Sequence, residues 1–191
     1  GITTAGTVAL GPAGVLVLDA TGGGTGAGGQ IVQTGGSLAG AQLLANAAAQ
    51  VALNATTFGT IAGSSIGAFN VTNAAGAVTV GTVQGIAGIA ATGATPSVTL
   101  SVAGNLTVEQ SLNAGAGNLL LTAGTGGTGA LTQTGGSIVG EGLRAQAAGV
   151  VSLTNAQIGT VAGSAIGSFS VADTSGTLTV GTVQGVSGII A

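Results

Sequence analysis

"AGAVTVGTVQGIAGI" runs from Ala75 to Ile89, and 100 residues later the chain repeats it as "SGTLTVGTVQGVSGI", Ser175 to Ile189. Widening the comparison to Gly59–Ala90 and Gly159–Ile190 gives 19 identities in 32 positions without a gap. The match continues upstream through "LLANAAAQVAL" (Leu43–Leu53) against "LRAQAAGVVSL" (Leu143–Leu153), and through "QTGGS" at Gln33–Ser37 and Gln133–Ser137. Further back, a gap of about three residues aligns "VLVLDATGGGTGAGG" with "NLLLTAGTGGTGA". The opening "GITTAG" resembles "GIAATG" at Gly88–Gly93. The chain therefore reads as one solenoid segment of two long repeats, 1–87 and 88–187, with 188–191 starting a third. A period this long is several turns of a solenoid per repeat.

The differences between the copies sort by environment. Ile61/Val161, Val78/Leu178 and Ile86/Val186 exchange one aliphatic for another. Asn70/Ser170, Thr72/Ala172 and Asn73/Asp173 exchange small or polar residues around the unchanged Phe69/Phe169 and Val71/Val171. Alternation of this kind predicts strands, with Phe169, Val171, Leu178 and Val180 inward and Ser170, Thr177 and Thr179 outward. Gly, Asn, Ser and Thr interrupt the runs every few residues, so the strands are expected to be short, three to five residues.

Short strands with one apolar face leave a β-sandwich or a parallel β-helix. The sequence has no Asn-Gly or Asp-Gly hairpin turn, which weighs against an antiparallel meander. The expected fold is all-β, a parallel β-helix of roughly 8 to 10 coils of roughly 20 to 25 residues, about 40 to 50 Å long. Small residues suit its narrow core. Helix propensity alone permits a helix at Ala41–Leu53, but the second copy carries Gly149, Val150 and Val151, so both are read as strand and turn.

Composition excludes several classes of function. The chain has 191 residues, 40 of them Gly, with 45% hydrophobic and 3% charged residues. That is too apolar for ordinary disorder and lacks the periodic Gly of collagen. The net charge of −3 comes from Asp19, Glu109, Glu141 and Asp173 against Arg144, so no basic field exists for nucleic acid or anionic lipid. No run of 18 apolar residues suggests a membrane span, and three Phe with no Trp or Tyr make poor girdles for a membrane barrel. The absence of Cys removes disulfide and thiolate chemistry.

"GNLTVEQSLNAGAGNLLLTA" (Gly104–Ala123), "QTGGSIVGEGLRAQAAGVVSL", "IGTVAG" at Ile158–Gly163 and "LTVGTVQGVSGI" resemble the degenerate repeats of filamentous haemagglutinin-type exoproteins, large bacterial surface adhesins exported by two-partner secretion. The resemblance covers essentially the whole chain and implies a right-handed β-helix located outside the cell or on the bacterial surface. It also implies a stalk, without a binding site. Gly1 and Ala191 both fall within the repeat pattern, as in a segment of a longer array.

No catalytic, cofactor-binding or metal-ligating residue is assigned, and no cofactor is expected. "GTGAGG" (Gly24–Gly29) and "GTGGTG" (Gly124–Gly129) satisfy G-x-G-x-x-G, but strand and turn follow where phosphate binding needs a helix. The four acids are scattered, which disfavours a β-helical carbohydrate-active enzyme. Glu141 and Arg144 are expected to form a surface ion pair. No His or Lys serves as a base, and Asp19 and Asp173 stand apart from any calcium-binding repeat. Asn54, Asn70 and Asn105 open N-x-Thr sequons, read as background in a Thr-rich chain. Gln33 and Gln133 are expected to bond turn backbone or to stack as an amide ladder.

The expected function is a non-enzymatic stalk or filament segment that associates with itself, end to end or laterally, or with neighbouring repeats. Attachment to a surface or matrix ligand is the adhesive role; nucleic-acid binding and membrane insertion are not expected. An ice- or surface-binding face bearing outward Thr79, Thr82, Thr179 and Thr182 is the alternative.

Overall fold

The computed structural model describes residues 1–22 and 29–191. The chain is all-β, without an α-helix among the described residues. Nineteen strands join in one sheet whose pairings are parallel throughout. That arrangement fits a β-solenoid.

One ladder shows how the winding works. Ile2 lies beside Ile31, and the register then climbs through Val51, Phe69, Val98, Leu119, Leu143 and Val161 to Val180. These are nine rungs, or about 40 Å at the strand spacing. From Ile31 to Leu143 every one of these side chains is 0% exposed. Aliphatic stacks on aliphatic because strand alternation brings each inward residue onto the inward residue below it. Burial of one such side chain contributes about 1.5–3 kcal/mol, so a column of them supplies much of the cohesion.

The steps between rungs vary, from 18 residues between Val51 and Phe69 to 29 between Phe69 and Val98. Corner loops absorb the difference while the register of the inward positions is kept. As the sequence predicts, Ala41–Leu53 is strand and turn: Leu38–Ala47 is followed by a bend and then Val51–Ser65. Its second copy is Ile138–Ala147 and Val151–Ala165.

Three expectations need correction. Those strands hold 10 and 15 residues, well beyond three to five, because the chain turns its corners without leaving the ladder. At Asn54 and Ala55 the corner is a register shift between Leu53 and Thr56 in the pairing with Phe69–Asn73. At Gly63 it needs glycine, since a Cβ there would overlap the Ala45 carbonyl.

The second correction concerns the repeated stretch itself. "TVQGIA" is an antiparallel hairpin, with Thr82–Val83 paired to Ile86–Ala87, and the copy at Thr182–Ser187 is another. The turn is Gln84-Gly85 with φ 52° and 83°, both positive as a type I′ turn requires. Gln takes the place usually given to Asn or Asp, which is why the sequence hides the hairpin. Each hairpin lies against the outside of the ladder: Val83 is 0% exposed and closes a small cluster with Leu44 and Ala62.

Third, the opening residues are placed differently. Ile2–Thr4 pairs with Ile31–Gln33, and it is Leu106–Val108 that pairs with the equivalent Leu131–Gln133. Val8–Ala9 pairs with Leu38–Ala39 as Leu112–Asn113 pairs with Ile138–Val139. "GITTAGTVAL" therefore corresponds to the segment beginning at Asn105, and the likeness to Gly88–Gly93 is local. The three-residue gap does hold, because Val15 faces Gln42 as Asn118 faces Gly142.

Inward and outward phases agree with the alternation, but depth depends on height. Phe69, Val71, Val78 and Val80 are buried, at 3% exposure or less, whereas Phe169, Val171 and Leu178 are partly buried and Val180 is 57% exposed. The second set lies in the last rung, which no rung covers. The same substitution should therefore cost different amounts in the two copies. Phe69→Ala is expected to destabilise the chain by about 3–5 kcal/mol, and Phe169→Ala by less than half of that, in urea unfolding followed by circular dichroism.

Candidate functional site

The polar residues inside the winding satisfy the corners. Gln33 is 4% exposed, on the strand Ile31–Gln33. Its Oε1 accepts from the N–H groups of Asn54 and Ala55, both at 3.0 Å. Its Nε2 donates to the carbonyls of Gly36, at 3.1 Å, and Ala55, at 3.3 Å. Asn54 and Ala55 are the two residues at the register shift, where the regular ladder supplies them no partner. A neutral amide offers both an acceptor and a donor, so one side chain serves two N–H groups and two carbonyls.

Gln133 repeats the arrangement, accepting from Thr154 and Asn155 and donating to Gly135, Gly136 and Asn155. The turn-backbone alternative for these glutamines is therefore the one observed. They do not stack on each other, since each bonds the next corner of its own copy.

Beside Gln33, Asn73 is 2% exposed and binds the following corner. Its Oδ1 accepts from Phe58 N–H at 2.8 Å and from the Thr56 hydroxyl at 3.1 Å, and its Nδ2 donates to Ala75. In the second copy Ala156 replaces Thr56 and Asp173 replaces Asn73. Asp173 accepts from Ile158 N–H, the Ser175 hydroxyl and N–H, and Gly176 N–H. Burial pushes this carboxyl up, but those hydrogen bonds outweigh it and hold the pKa below the ordinary 3.8. Asp19, fully exposed, is likewise lowered by the hydroxyl and N–H of Thr21.

The expected ion pair between Glu141 and Arg144 is not formed. Both stand on the outside of the strand Ile138–Ala147, but the strand turns a corner between them, where the buried positions step from Ile138 to Leu143 and the pairing to Val151–Ala165 skips Glu141. Arg144 stands where the first copy has Leu44, beside Ala162, and its Nε is buried without a partner.

The other motifs scatter. Gly124–Gly129 forms a turn that leads into the strand Leu131–Gln133. Of "GTGAGG", only Gly29 lies within the described residues. In the sequons, Asn54 and Asn105 are exposed, and Asn105 Oδ1 accepts from Ala130 N–H. Asn70 is partly buried, with its Oδ1 unpartnered. Among the described residues no three of His, Cys, Asp and Glu gather into a possible metal site, and no helix is long and apolar enough to cross a membrane.

What the outer surface does gather is a row of hydroxyls that the sequence reading missed. Thr60, Thr79, Thr107 and Thr132 stand over one another in successive rungs, followed by Ser152 and Ser170. Thr79 belongs to this row. Thr82 and Thr182 lie on the hairpins, and Thr179 stands beside Thr160 in the last rung. The signal was available only with the register known, because the spacings within the row differ at every step.

Two measurements check the corner assignments. Gln33→Leu should destabilise by about 1–3 kcal/mol in denaturant titration, since the corner N–H groups of Asn54 and Ala55 lose their acceptor. Asp173 has a lowered folded pKa, so its stabilising contribution is present above the unfolded value and is lost as pH falls through the folded one. Asp173→Asn should therefore flatten the acid limb of a stability-versus-pH curve below about pH 4. An unchanged acid limb would assign that limb to other carboxylates.

Comparison with known proteins finds no family, no curated protein and no solved structure that matches this chain.

Proposed function

We propose that the chain is a stiff stalk or filament segment of an extracellular bacterial adhesin of the filamentous haemagglutinin type, wound as a right-handed parallel β-helix. The observation that carries this reading is the unbroken column of fully buried apolar side chains from Ile31 to Leu143, each rung paired in parallel with the next. Such an interior is filled by the chain itself. The buried polar side chains Gln33, Thr56, Ser65, Asn73 and Gln133 among the described residues are committed to backbone groups, which leaves them no role toward a substrate. Stiffness follows from the same arrangement, because bending the rod would open a parallel ladder on one side.

A second reading, a binder of ice or another ordered surface, draws on the threonine row. Its members repeat at about 4.8 Å along the axis. The row is one residue wide, however. The next outward positions after Thr79, Thr107 and Thr132 are Gly81, Glu109 and Thr134, so no second rank of hydroxyls accompanies it.

Oriented fibres or cryo-microscopy of the purified chain should give a rod one coil wide with a strong axial repeat near about 4.8 Å. Limited proteolysis should leave the ladder from Ile31 to Val161 intact. A compact particle without that repeat would remove the stalk reading. Thermal hysteresis that disappears in Thr107→Tyr would replace it with the surface-binding one.

A further inference from the structure

We infer that the hairpin Thr182–Ser187 is a latch poised to lift off the side of the winding, whereas its twin at Thr82–Ala87 is fastened down. The difference lies in the seat beneath each hairpin, where Arg144 takes the place of Leu44.

The two hairpins are built and hinged alike. Each is a two-stranded sheet of its own, outside the nineteen-stranded ladder. At the base of the first, Gly81 N–H donates to the Ile61 carbonyl and Gly63 N–H to the Gly88 carbonyl. The second copy repeats this with Gly181 and Val161, and with Gly163 and Gly188. Gly88 N–H closes onto the Gly81 carbonyl and Gly188 N–H onto the Gly181 carbonyl, both at 2.8 Å. Beyond that base no strand pairing ties either hairpin to the ladder. A hairpin of two strands is marginal in water, so contact with the seat decides whether it stays down.

The seats differ. Val83 is 0% exposed and packs with Leu44 and Ala62, with Val15 at the edge. The ladder aligns Val15 with Gln42, and Leu44 with Ala62. In the second copy these positions hold Asn118, Gly142, Arg144 and Ala162, so only the alanine is kept. Val183 is buried there, its methyl groups 3.2 and 3.4 Å from where a Cβ on Gly142 would stand, and Asn118 Oδ1 reaches into the same space. By this register Val183 stands over Arg144 as Val83 stands over Leu44.

The exchange reverses the sign of one contribution. Leu44 gains from being covered, because its apolar surface leaves water. Arg144, the chain's single basic residue, has its Nε buried with no acceptor. A donor on a charged group that loses water and finds no partner opposes the contact that buries it. Lifting the hairpin returns water to Nε, so Arg144 works against docking where Leu44 works for it. The open form uncovers Ala162 and the guanidinium, and the ladder from Leu119 through Leu143 to Val161 keeps its pairing.

Hydrogen exchange of the whole chain, read by mass spectrometry over residues 82–88 and 182–188, tests the latch. Arg144→Leu should slow exchange in 182–188 by about tenfold or more and leave 82–88 unchanged. This variant installs the residue that the first copy already holds at that place, so its folding is not at issue. Leu44→Arg should quicken exchange in 82–88 by about tenfold or more. Each hairpin is compared with itself in its own surroundings, so whatever lies above it cancels. The strand Ser97–Val102, which touches neither seat, should exchange at the same rate in all three proteins. A hairpin that fails to respond to the substitution in its own seat overturns the inference, and so does a response that Ser97–Val102 shares.

Discussion

The structure depends on one constraint, the vertical register of a parallel ladder. Each rung satisfies its backbone N–H and C=O groups on the rungs above and below, so no rung is complete by itself. Side-chain alternation then decides everything else. A slip of one residue would turn Val51 or Phe69 outward and expose the column they belong to. The corner loops change length by more than ten residues between rungs, and the inward positions do not move. Loop length is thus free to vary while register is not, which explains how "VTVGTVQG" takes in a hairpin without disturbing the stack.

Corners are where this architecture meets its main cost, because a bend that shifts the register strands backbone groups away from water. The two copies solve this with the same amide at Gln33 and Gln133 but differ at the next corner. Thr56 gives a hydroxyl to Asn73, and where Ala156 removes that donor, Asp173 takes the Ser175 hydroxyl and N–H instead. The exchange of Thr-Asn for Ala-Asp is thus a compensated pair within one hydrogen-bonding role. It also leaves a charge near the last rung that the first copy lacks, and with it a sensitivity to acid.

The fold was legible because its signals are local and repeated. Aliphatic exchange at Ile61/Val161 beside polar exchange at Asn70/Ser170 marks the faces of the strands, and Gly149 with two valines removes the helix. Three features were not legible. The Gln-Gly hairpin lacks the residues by which such turns are usually recognised. The failure of Glu141 to meet Arg144 follows from the corner between them, which sequence neighbourhood does not convey. The threonine row crosses rungs of unequal length, so no fixed period in the sequence reveals it. Polar corner roles were half legible: a paired Gln beside "TGG" pointed to turn backbone, but its bonds across to Asn54 and Ala55 needed the register.

The long repeat does not contain a whole number of rungs, and this shapes what the outside of the rod can do. Ile31 and Leu131 are equivalent in sequence, yet Ile31 belongs to the ladder through Val51, Phe69 and Leu143, and Leu131 to the one through Leu106 and Val151. The hairpins follow the same shift. Val83 packs beside Leu44, on the ladder of Leu43, while its copy Val183 lies near Gly142, on the ladder of Leu143. An array continuing in this phase carries its hairpins around the rod and leaves no side free of them over many rungs. Flat lateral packing of such rods would then meet a hairpin at regular intervals. With only five charged residues in the chain to keep rods apart, it is this rotation of the repeat that would oppose bundling.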